Sequence, residues 1–438
     1  MFKKKFFIIY PLAFAGLIIN KQVNSSVLKN SHKEVIDHVW QIVYRDFLDS
    51  EGNFSKSDWI LLRKDLLARK YNNSLDAYDA IRNMLANLND PYTRFLEPKE
   101  FRQMRIDTSG ELTGVGIQII KDEKNDDLLI VSPIEGTPAS KAGIKAKDKI
   151  ITIDNISTKG MDIEQAVRLI RGKIGTKVNL GISRNGNKFN KSLLRQRIEI
   201  KSVNSRVNAS KEGLLIGYLR IKQFNANASR ELKGALIDFE NKNISGYVLD
   251  LRSNPGGLLD SSIEISRQFI NKGIIVSTLS KNGLKEIKKA NGTAITKKPL
   301  VVLVNEGSAS ASEIVSGAIK DNKRGKLIGK KTFGKGLVQS MRTLIDGSGL
   351  TVTVAKYLTP NGTDINKFGI IPDIEVNMNM KIRPRDIGTR KDKQYKAGET
   401  ELLKLIKDAN FYNSFNPKST NLEAALSNRY LKNIYSLN

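Results

Sequence analysis

Apolar residues recur at helical spacing in two stretches near the N-terminus. The first stretch covers residues 34–48, with apolar side chains at positions 35, 36, 39, 40, 43 and 47. The second covers residues 75–88 and ends at Asn89-Asp90-Pro91, where proline stops a helix. Because apolar positions three and four residues apart line one helix face, we predict a helical region over residues 30–108.

The pattern changes to short β-rich runs over residues 109–200. Runs at 115–120, 128–131, 150–153 and 178–183 are each bounded by turn residues and predict strands. One helical pattern interrupts them at 163–170, and Asp162 can cap its first turn. Arg184-Asn185-Gly186-Asn187 predicts a hairpin. We therefore expect a separate β-rich module here.

From residue 201 to residue 378, predicted strands alternate with predicted helices. The strands lie at 214–221, 247–251 and 300–304, and the helices at 229–241, 259–270 and 310–320. This alternation predicts an α/β core, with an α+β architecture for the whole chain. Residues 379–438 hold a charged connector at 381–396 and two apolar patterns, 402–406 and 422–431, that predict tail helices.

The first 25 residues have the composition of a signal peptide or a membrane anchor. A basic start is followed by a 14-residue uncharged run, Phe6 to Ile19. A transmembrane helix usually needs ~20 apolar residues, so this run is typical of a secretory signal. Whether it is cleaved or retained stays open. Either way we expect an exported protein, in the bacterial periplasm or on the outer face of the inner membrane.

Composition narrows the remaining function classes. The chain has 438 residues, enough for two or three domains, and a formal net charge of +27. No compact arginine-aromatic stripe occurs, so we interpret the charge as lysines on solvated faces and predict no nucleic-acid partner. The absence of cysteine excludes disulfides and thiol nucleophiles. His32 and His38 lack the spacing of a helical metal pair, and we predict no metal and no cofactor.

The candidate nucleophile is Ser310, in the small-residue stretch 307–313. This stretch follows a predicted buried strand and opens a predicted helix, whose first amides can stabilise negative charge. The motif alone is equally compatible with a small-residue helix packed tightly on a sheet. Both histidines lie more than 250 residues upstream, so an activating base is not expected to be an imidazole.

The candidate base is Lys335, with Gln339 four residues later. A lysine acts as a base only when neutral, and burial among its small or apolar sequence neighbours would lower its pKa. Whether the segment is helix or strand, Gln339 shares a face with Lys335 and could orient its amine without adding charge. The alternative is a surface lysine on a glycine-rich loop.

Two further glycine-bearing turns are candidate binding elements. Asp250 to Gly257 ends a predicted strand and could aim successive amides into the crevice at the carboxyl ends of the strands. Thr113 to Ile117 leads into a strand of the β-rich module and could capture a terminal carboxylate. Each is also compatible with an ordinary turn that binds no ligand.

Together these residues resemble the C-terminal processing peptidases, also called tail-specific proteases. The resemblance covers nearly the whole chain after the leader. It includes residues 88–96, a PDZ pattern over 113–117 and 136–154, and Asp250 to Gly257. Ser310, Lys335 and Gln339 fall on the family's nucleophile, general base and base-orienting positions.

The resemblance implies a crotonase-like protease core with an inserted PDZ domain and helical segments at both ends. It implies that the PDZ domain binds substrate tails, with Gly114, Val115, Gly116 and Ile117 as its carboxylate loop. Arg171 resembles a residue that couples tail binding to the protease site. Asp321 matches a polar position linked to activity, although a solvated helix end is the alternative there.

We therefore expect a serine endopeptidase that recognises unstructured, largely apolar C-termini of exported proteins. Ser310 would attack the carbonyl, Lys335 would take and return the proton, and Gln339 would position Lys335. The oxyanion would be held by the amides of Ala311 and of Gly256 or Gly257. The alternatives are a tail-binding scaffold without catalysis and a crotonase-like acyl-CoA enzyme. Membrane contact through the N-terminal segment and a homodimer are further expectations.

Overall fold

The computed structural model describes residues 32–52, 54–122, 125–377 and 382–415. The predicted leader, residues 1–25, and the tail helix predicted at 422–431 lie outside these ranges. Within the ranges described, no helix is both long enough and apolar enough to span a bilayer.

Helices dominate the N-terminal region. Its elements are α1 (His32–Asp46), α2 (Lys56–Ala68), α3 (Ser74–Ala86), β1 (Arg94–Leu96) and α4 (Pro98–Ser109). The periodicity predicted α1 and α3 to within two residues at each end. It missed α2 and α4, since each buries only one or two side chains and so lacks an apolar stripe. Val39 of α1 and Ile81 of α3 are completely buried in a core shared with Val352 of the adjoining sheet.

The β-rich module follows as a small sheet with two short helices. Its elements are β2 (Glu111–Gly114), β3 (Ile117–Lys121), β4 (Leu128–Pro133), α5 (Pro138–Lys141), β5 (Lys149–Ile153), β6 (Ile156–Ser157), α6 (Ile163–Ile170), β7 (Lys177–Arg184), β8 (Asn187–Leu194) and β9 (Gln196–Glu199). The main sheet has the order β3-β4-β5-β7-β8, which leaves β3 at an edge. The predicted cap of α6 is confirmed, because the carboxylate of Asp162 accepts from the amide of Gln165 at 2.7 Å.

The remaining residues form the α/β core and a C-terminal helix. These elements are β10 (Val203–Ala209), β11 (Leu215–Ile221), α7 (Ala228–Asn241), β12 (Gly246–Asp250), α8 (Leu259–Arg267), β13 (Ile274–Ser280), β14 (Lys285–Lys289), β15 (Leu300–Val304), α9 (Ala311–Asp321), β16 (Lys326–Gly329), β17 (Leu337–Thr343), β18 (Gly349–Leu358), β19 (Ile374–Glu375) and α10 (Lys393–Phe415), with a 3₁₀ turn at Pro384–Asp386.

The core sheet is parallel from β11 to β19, in the order β10-β11-β12-β15-β16-β19. Apolar side chains of α7, α8 and α9 cover one face, and α10 covers the other. Burial on both faces explains why every residue of β15 is apolar and fully buried. A second sheet, β1-β18-β13-β14 with β17 paired to β18, carries the N-terminal helices.

The prediction of a charged connector over 381–396 was wrong at its C-terminal end. Helix α10 already begins at Lys393, and Asp392 and Gln394 are fully buried. The reason is an ion pair: Arg252 Nη1 and Nη2 donate to the two carboxylate oxygens of Asp392 at 2.9 and 2.7 Å. A charge that compositional reasoning assigned to solvent is satisfied inside the core.

Candidate active site

A cavity of about 1500 Å³ opens at the carboxyl ends of the core strands. It is bounded by α4, by α6 of the β-rich module and by the loops that follow β12 and β15. We call it the central cavity. The predicted residues that line it are Ser310, Lys335, Gln339, Gly256, Gly257, Ala311 and Arg171. The fold thus brings together turns up to 79 residues apart, from Gly256 to Lys335, as expected where parallel strands end at one edge.

Ser310 occupies a strained turn at the start of α9. Its φ is 53° and its ψ is −113°, a conformation that non-glycine residues rarely adopt. Such strain costs about 1–3 kcal/mol and persists only where the surrounding structure holds it. Here the carboxylate of Glu313 accepts the Ser310 amide at 2.9 Å, and the Tyr357 hydroxyl donates to the Ser310 carbonyl at 3.1 Å.

Glu313 links the loop of Ser310 to the loop of Lys335. Its carboxylate is fully buried and also accepts the Thr332 hydroxyl at 2.5 Å, the Gly334 amide at 2.7 Å and the Lys335 amide at 2.9 Å. A buried carboxylate is stable only when hydrogen bonds replace its hydration. Sequence reasoning missed this residue, although an acid three residues after a serine is the signature of a helix start.

Lys335 has the environment of a lysine that loses its proton easily. Burial lowers its pKa first, and the positive charge of Arg94 lowers it further, while Asp90 and Glu313 act in the opposite direction. The Lys335 ammonium lies 4.5 Å from the centroid of the Tyr92 ring. Within the described ranges, no hydrogen bond joins Lys335 to the Ser310 hydroxyl. In ligand-free enzymes such bonds often form only when substrate closes the site.

The prediction that Gln339 shares a face with Lys335 assumed one regular helix or strand through both residues, and the structure does not have one. Lys335 precedes β17, and a bulge interrupts the strand between Val338 and Gln339. Gln339 Nε2 instead donates to the hydroxyl of Thr353 at 3.4 Å. That hydroxyl donates in turn to Asp90 at 2.6 Å. Gln339 lines the central cavity but makes no hydrogen bond to Lys335 among the residues described.

The two candidate oxyanion glycines differ in the use of their amides. Gly256 lies so close to Ser310 that a Cβ on it would be 2.8 Å from the serine Cβ. Its amide, however, donates to the side chain of Asn254 at 2.9 Å. The amides of Gly257 and Ala311 have no acceptor in the described part of the chain. Of the two glycines, Gly257 is therefore the one with an amide free to bind an oxyanion.

The remaining predicted residues are distributed over three places. Arg171 ends α6 and lines the central cavity, where burial and the nearby charge of Arg102 lower its pKa. Asp321 is the last residue of α9, lies outside the cavity lining and accepts the amide of Asn361 at 3.0 Å. The turn from Gly114 to Ile117 joins β2 to the edge strand β3, also outside the cavity lining.

The turn itself is built as a carboxylate loop would need. Gly116 has a φ of 79°, and a Cβ there would lie 2.3 Å from Thr137. The carbonyls of Val115 and Gly116 accept the amides of Ala139 and Ile134 at 2.9 and 2.8 Å. Their own amides have no acceptor among the described residues. These two amides beside a free strand edge suit an extended peptide with a terminal carboxylate.

The sequence of this chain is similar to family models and to known proteins over most of its length. A model of Peptidase family S41 matches residues 215–376, and a PDZ domain model matches residues 129–184. The chain is 41% identical over 390 residues to a carboxyl-terminal-processing protease of Synechocystis, covering 89% of this chain and 91% of that protein. It is also 41% identical over 323 residues to the carboxy-terminal processing protease CtpA of Bacillus subtilis, covering 73% and 68% of the two chains.

Among solved structures, the chain is similar to a photosystem II D1 C-terminal processing protease. The identity is 38%, the TM-score is 0.51, and the match covers 79% of this chain and 93% of the other. The expected fold, a protease core with a PDZ domain and flanking helices, is confirmed. The chain is a serine-type peptidase and belongs to the carboxyl-terminal-processing proteases of peptidase family S41.

Proposed function

We propose that this peptidase cleaves its substrates with a Ser310/Lys335 dyad. The observation that carries the proposal is the lining of the central cavity, which holds Ser310 and Lys335 but neither histidine. Lys335 is the lysine of the cavity lining whose pKa burial lowers, which favours the neutral amine that a base requires. Ser310 attacks the peptide carbonyl, neutral Lys335 accepts the hydroxyl proton, and the resulting ammonium returns it to the leaving amine.

The negative charge of the tetrahedral intermediate is held by the amides of Ala311 and Gly257. The amide of Ala311 opens α9, where the helix dipole favours negative charge. Preorganised donors of this kind typically contribute a factor of about 10²–10³ in rate each. Gln339 acts on Lys335 indirectly. It donates to the Thr353 hydroxyl, which donates to Asp90, and the charge of Asp90 acts on Lys335.

The proposed substrates are exported proteins with flexible, apolar C-terminal tails. Support comes from the open edge of β3, which can accept an extended strand, and from the free amides of Val115 and Gly116. Helix α6 lies between this edge and the central cavity and contributes Arg171 to the cavity lining. A tail bound beside α6 would thus meet the residue that we propose as the link to the catalytic site. Export itself is proposed from residues 1–25.

The dyad is tested with a flexible peptide that has an apolar C-terminus. Wild type is expected to cleave it, while Ser310→Ala and Lys335→Ala lose activity by on the order of 10³-fold or more. Lys331→Ala removes an exposed lysine of the same loop and serves as the matched control, with activity within about twofold of wild type.

Binding of the same peptide distinguishes the peptidase from a scaffold. Ser310→Ala is expected to bind the peptide with wild-type affinity. A C-terminally amidated peptide, which lacks the carboxylate, is expected to bind more weakly. Full activity in Lys335→Ala would contradict the dyad, and equal binding of the amidated peptide would contradict tail recognition.

A further inference from the structure

A second, basic pocket lies on the α10 side of the core sheet, away from the residues assigned above. Its volume is about 420 Å³. Its charged lining residues are Lys201, Arg206 and Arg220. We call it the basic pocket. Asn204 pairs in register with Arg220, and Arg206 with Tyr218, so these four side chains lie on one face of the sheet.

Two guanidinium groups of this pocket lack part of their hydrogen bonding. The Nε atoms of Arg206 and Arg220 are both inaccessible to solvent, and neither has an acceptor within the described ranges. A buried donor without an acceptor destabilises the folded state, and more so when it is charged. Because these Nε atoms are closed to solvent, a ligand in the basic pocket would be bound through the Nη atoms of the two groups, and no hydrogen bond of the Arg220 side chain is found within the described ranges.

Arg206 is held in place by its neighbours. One Nη donates to the carbonyl of Ile387 at 2.7 Å, and the guanidinium stacks 4.4 Å from the centroid of the Tyr218 ring. The remaining donors of the group therefore have a fixed direction. A rigid, planar donor set is the arrangement that recognises oxygens of carboxylate or phosphate.

The nearby carboxylates are already engaged. Asp250 accepts two bonds from Arg252, at 2.9 and 2.6 Å, and one from the Tyr218 hydroxyl, at 2.6 Å. Asp392 is bound to the same arginine, and Asp386 pairs with Arg383 at 2.6 Å. Residues 376–382 contain no acidic side chain. The carboxylates of Asp250 and Asp392 and the guanidinium of Arg252 together carry one negative charge. The three basic residues that line the pocket carry three positive charges, so the net charge of the region is +2.

We propose that the basic pocket binds a phosphate group. Arg206 and Arg220 donate to its oxygens, Lys201 adds charge, and Asn204 supplies a neutral donor. An excess of two positive charges matches a phosphate dianion better than a single carboxylate. The phosphate is either free in solution, as inorganic phosphate or a small phosphate monoester, or the monoester headgroup of phosphatidic acid.

Calorimetric titration of the full chain with inorganic phosphate, at constant ionic strength, tests the site. Wild type is expected to show saturable binding, and Arg220→Gln is expected to weaken it at least tenfold. Lys211→Gln removes an exposed lysine from the turn between β10 and β11, outside the pocket, and is expected to change the affinity less than twofold. Equal affinity in Arg220→Gln and wild type, or no saturable binding, would overturn the proposal.

Two further arms complete the experiment. If Arg220→Gln does not fold, Lys201→Gln replaces it, since that side chain is exposed, with an expected loss of about threefold. Vesicles that contain phosphatidic acid, whose headgroup is a phosphate monoester, distinguish the source of the phosphate. Weaker vesicle binding by Arg220→Gln than by wild type indicates a headgroup, and equal vesicle binding together with phosphate-dependent titration indicates free phosphate. Saturable binding of succinate, a dicarboxylate, together with no binding of phosphate would contradict the proposal.

Discussion

On the core side of the central cavity the buried carboxylate of Glu313 accepts four hydrogen bonds. On the opposite side, which α4 and the PDZ domain form and which we call the PDZ side, the cations of Arg102 and Arg171 have no described hydrogen-bond or ion-pair partner. Both sides line the same space. On the core side, the carboxylate of Glu313 holds both the strained backbone at Ser310 and the loop of Lys335 in place through hydrogen bonds. On the PDZ side, no described hydrogen bond or ion pair fixes the charges of Arg102 and Arg171.

This contrast separates the requirements of chemistry from those of recognition. Proton transfer and oxyanion stabilisation need donors fixed before substrate arrives, because reorganisation during the reaction would cost rate. Tail binding requires groups that can adjust to different sequences, and elements with few fixed contacts are the ones that move at low cost. Substitutions on the core side should therefore act on catalytic turnover, and those on the PDZ side on substrate affinity.

The largest effect is expected from Glu313→Ala on the core side. The substitution leaves three backbone amides and the Thr332 hydroxyl without their acceptor. We expect kcat to fall by about 10²-fold or more, and the free energy of unfolding to fall by about 3–5 kcal/mol. Peptide cleavage and chemical denaturation measure the two quantities.

Two controls make the Glu313 prediction specific. Glu306→Ala removes an exposed acid from the same loop and should leave both quantities near wild type. Glu313→Gln keeps the shape and one acceptor, so it should fold better than Glu313→Ala yet remain slow. Wild-type kcat in Glu313→Gln would show that the carboxylate does not organise the dyad.

The next largest effect is expected from Gly116→Ala, which changes the tail-binding turn of the PDZ domain, outside the lining of the central cavity. The new Cβ would lie 2.3 Å from Thr137 at a φ of 79°, so the carboxylate loop must distort. We expect KM for a peptide with a free C-terminus to rise about tenfold, because the free amides of this turn are displaced. Cleavage of an amidated peptide, which does not use the loop, should change little.

Gly136→Ala is the matched control for Gly116→Ala. Gly136 also has a positive φ, 77°, but a Cβ there meets nothing within 4 Å. Both variants therefore carry backbone strain, and only one carries the clash. Similar KM values in the two variants would show that strain rather than loop geometry controls tail binding.

The elements that could be predicted from the sequence are those with periodic burial. Strand β15 and helix α6 were predicted at their observed bounds because each has one regular pattern of apolar positions. The turn that carries Ser310 was predicted from its place between a buried strand and a helix, whereas the segment of Lys335 was left open between helix and strand. Their meeting in one cavity follows from the parallel sheet, a property of the fold class.

The parts that sequence reasoning missed depend on contacts between distant residues. The same sequence pattern describes an exposed helix-capping acid and the buried Glu313, since its partners Thr332 and Gly334 lie about 20 residues later. Asp392 lies 140 residues from Arg252, so its burial leaves no local signal. The amide of Gly256 is occupied by a side-chain oxygen, which no spacing rule reveals.

Arg171→Gln should have a smaller effect than either glycine or glutamate substitution. The side chain lines the central cavity and has no described partner, so its loss removes charge without breaking a structural bond. We expect kcat/KM for a tailed peptide to fall about three- to tenfold, in line with a partly solvated charge contact. The loss should shrink as salt rises, because solvent-exposed charges are screened. Arg168→Gln, one turn earlier on the rim of the same cavity, tests whether the effect belongs to Arg171 or to net charge.

The smallest and sharpest test is the pH dependence of cleavage. If Lys335 is the base, activity rises with pH as the lysine loses its proton, with a midpoint below the ordinary pKa of lysine. Arg94 contributes to the lowered pKa by disfavouring a second positive charge. Arg94→Gln should therefore raise the pKa of Lys335 and move the midpoint to higher pH, by a small amount because the arginine is exposed to solvent. Arg105→Gln removes an exposed arginine of α4 outside the cavity lining and should leave the midpoint unchanged. When a nearby cation lowers the pKa of a base, removal of that cation raises the pKa of the base. A shift of the Arg94→Gln profile to lower pH would therefore mean that a group other than Lys335 takes the proton.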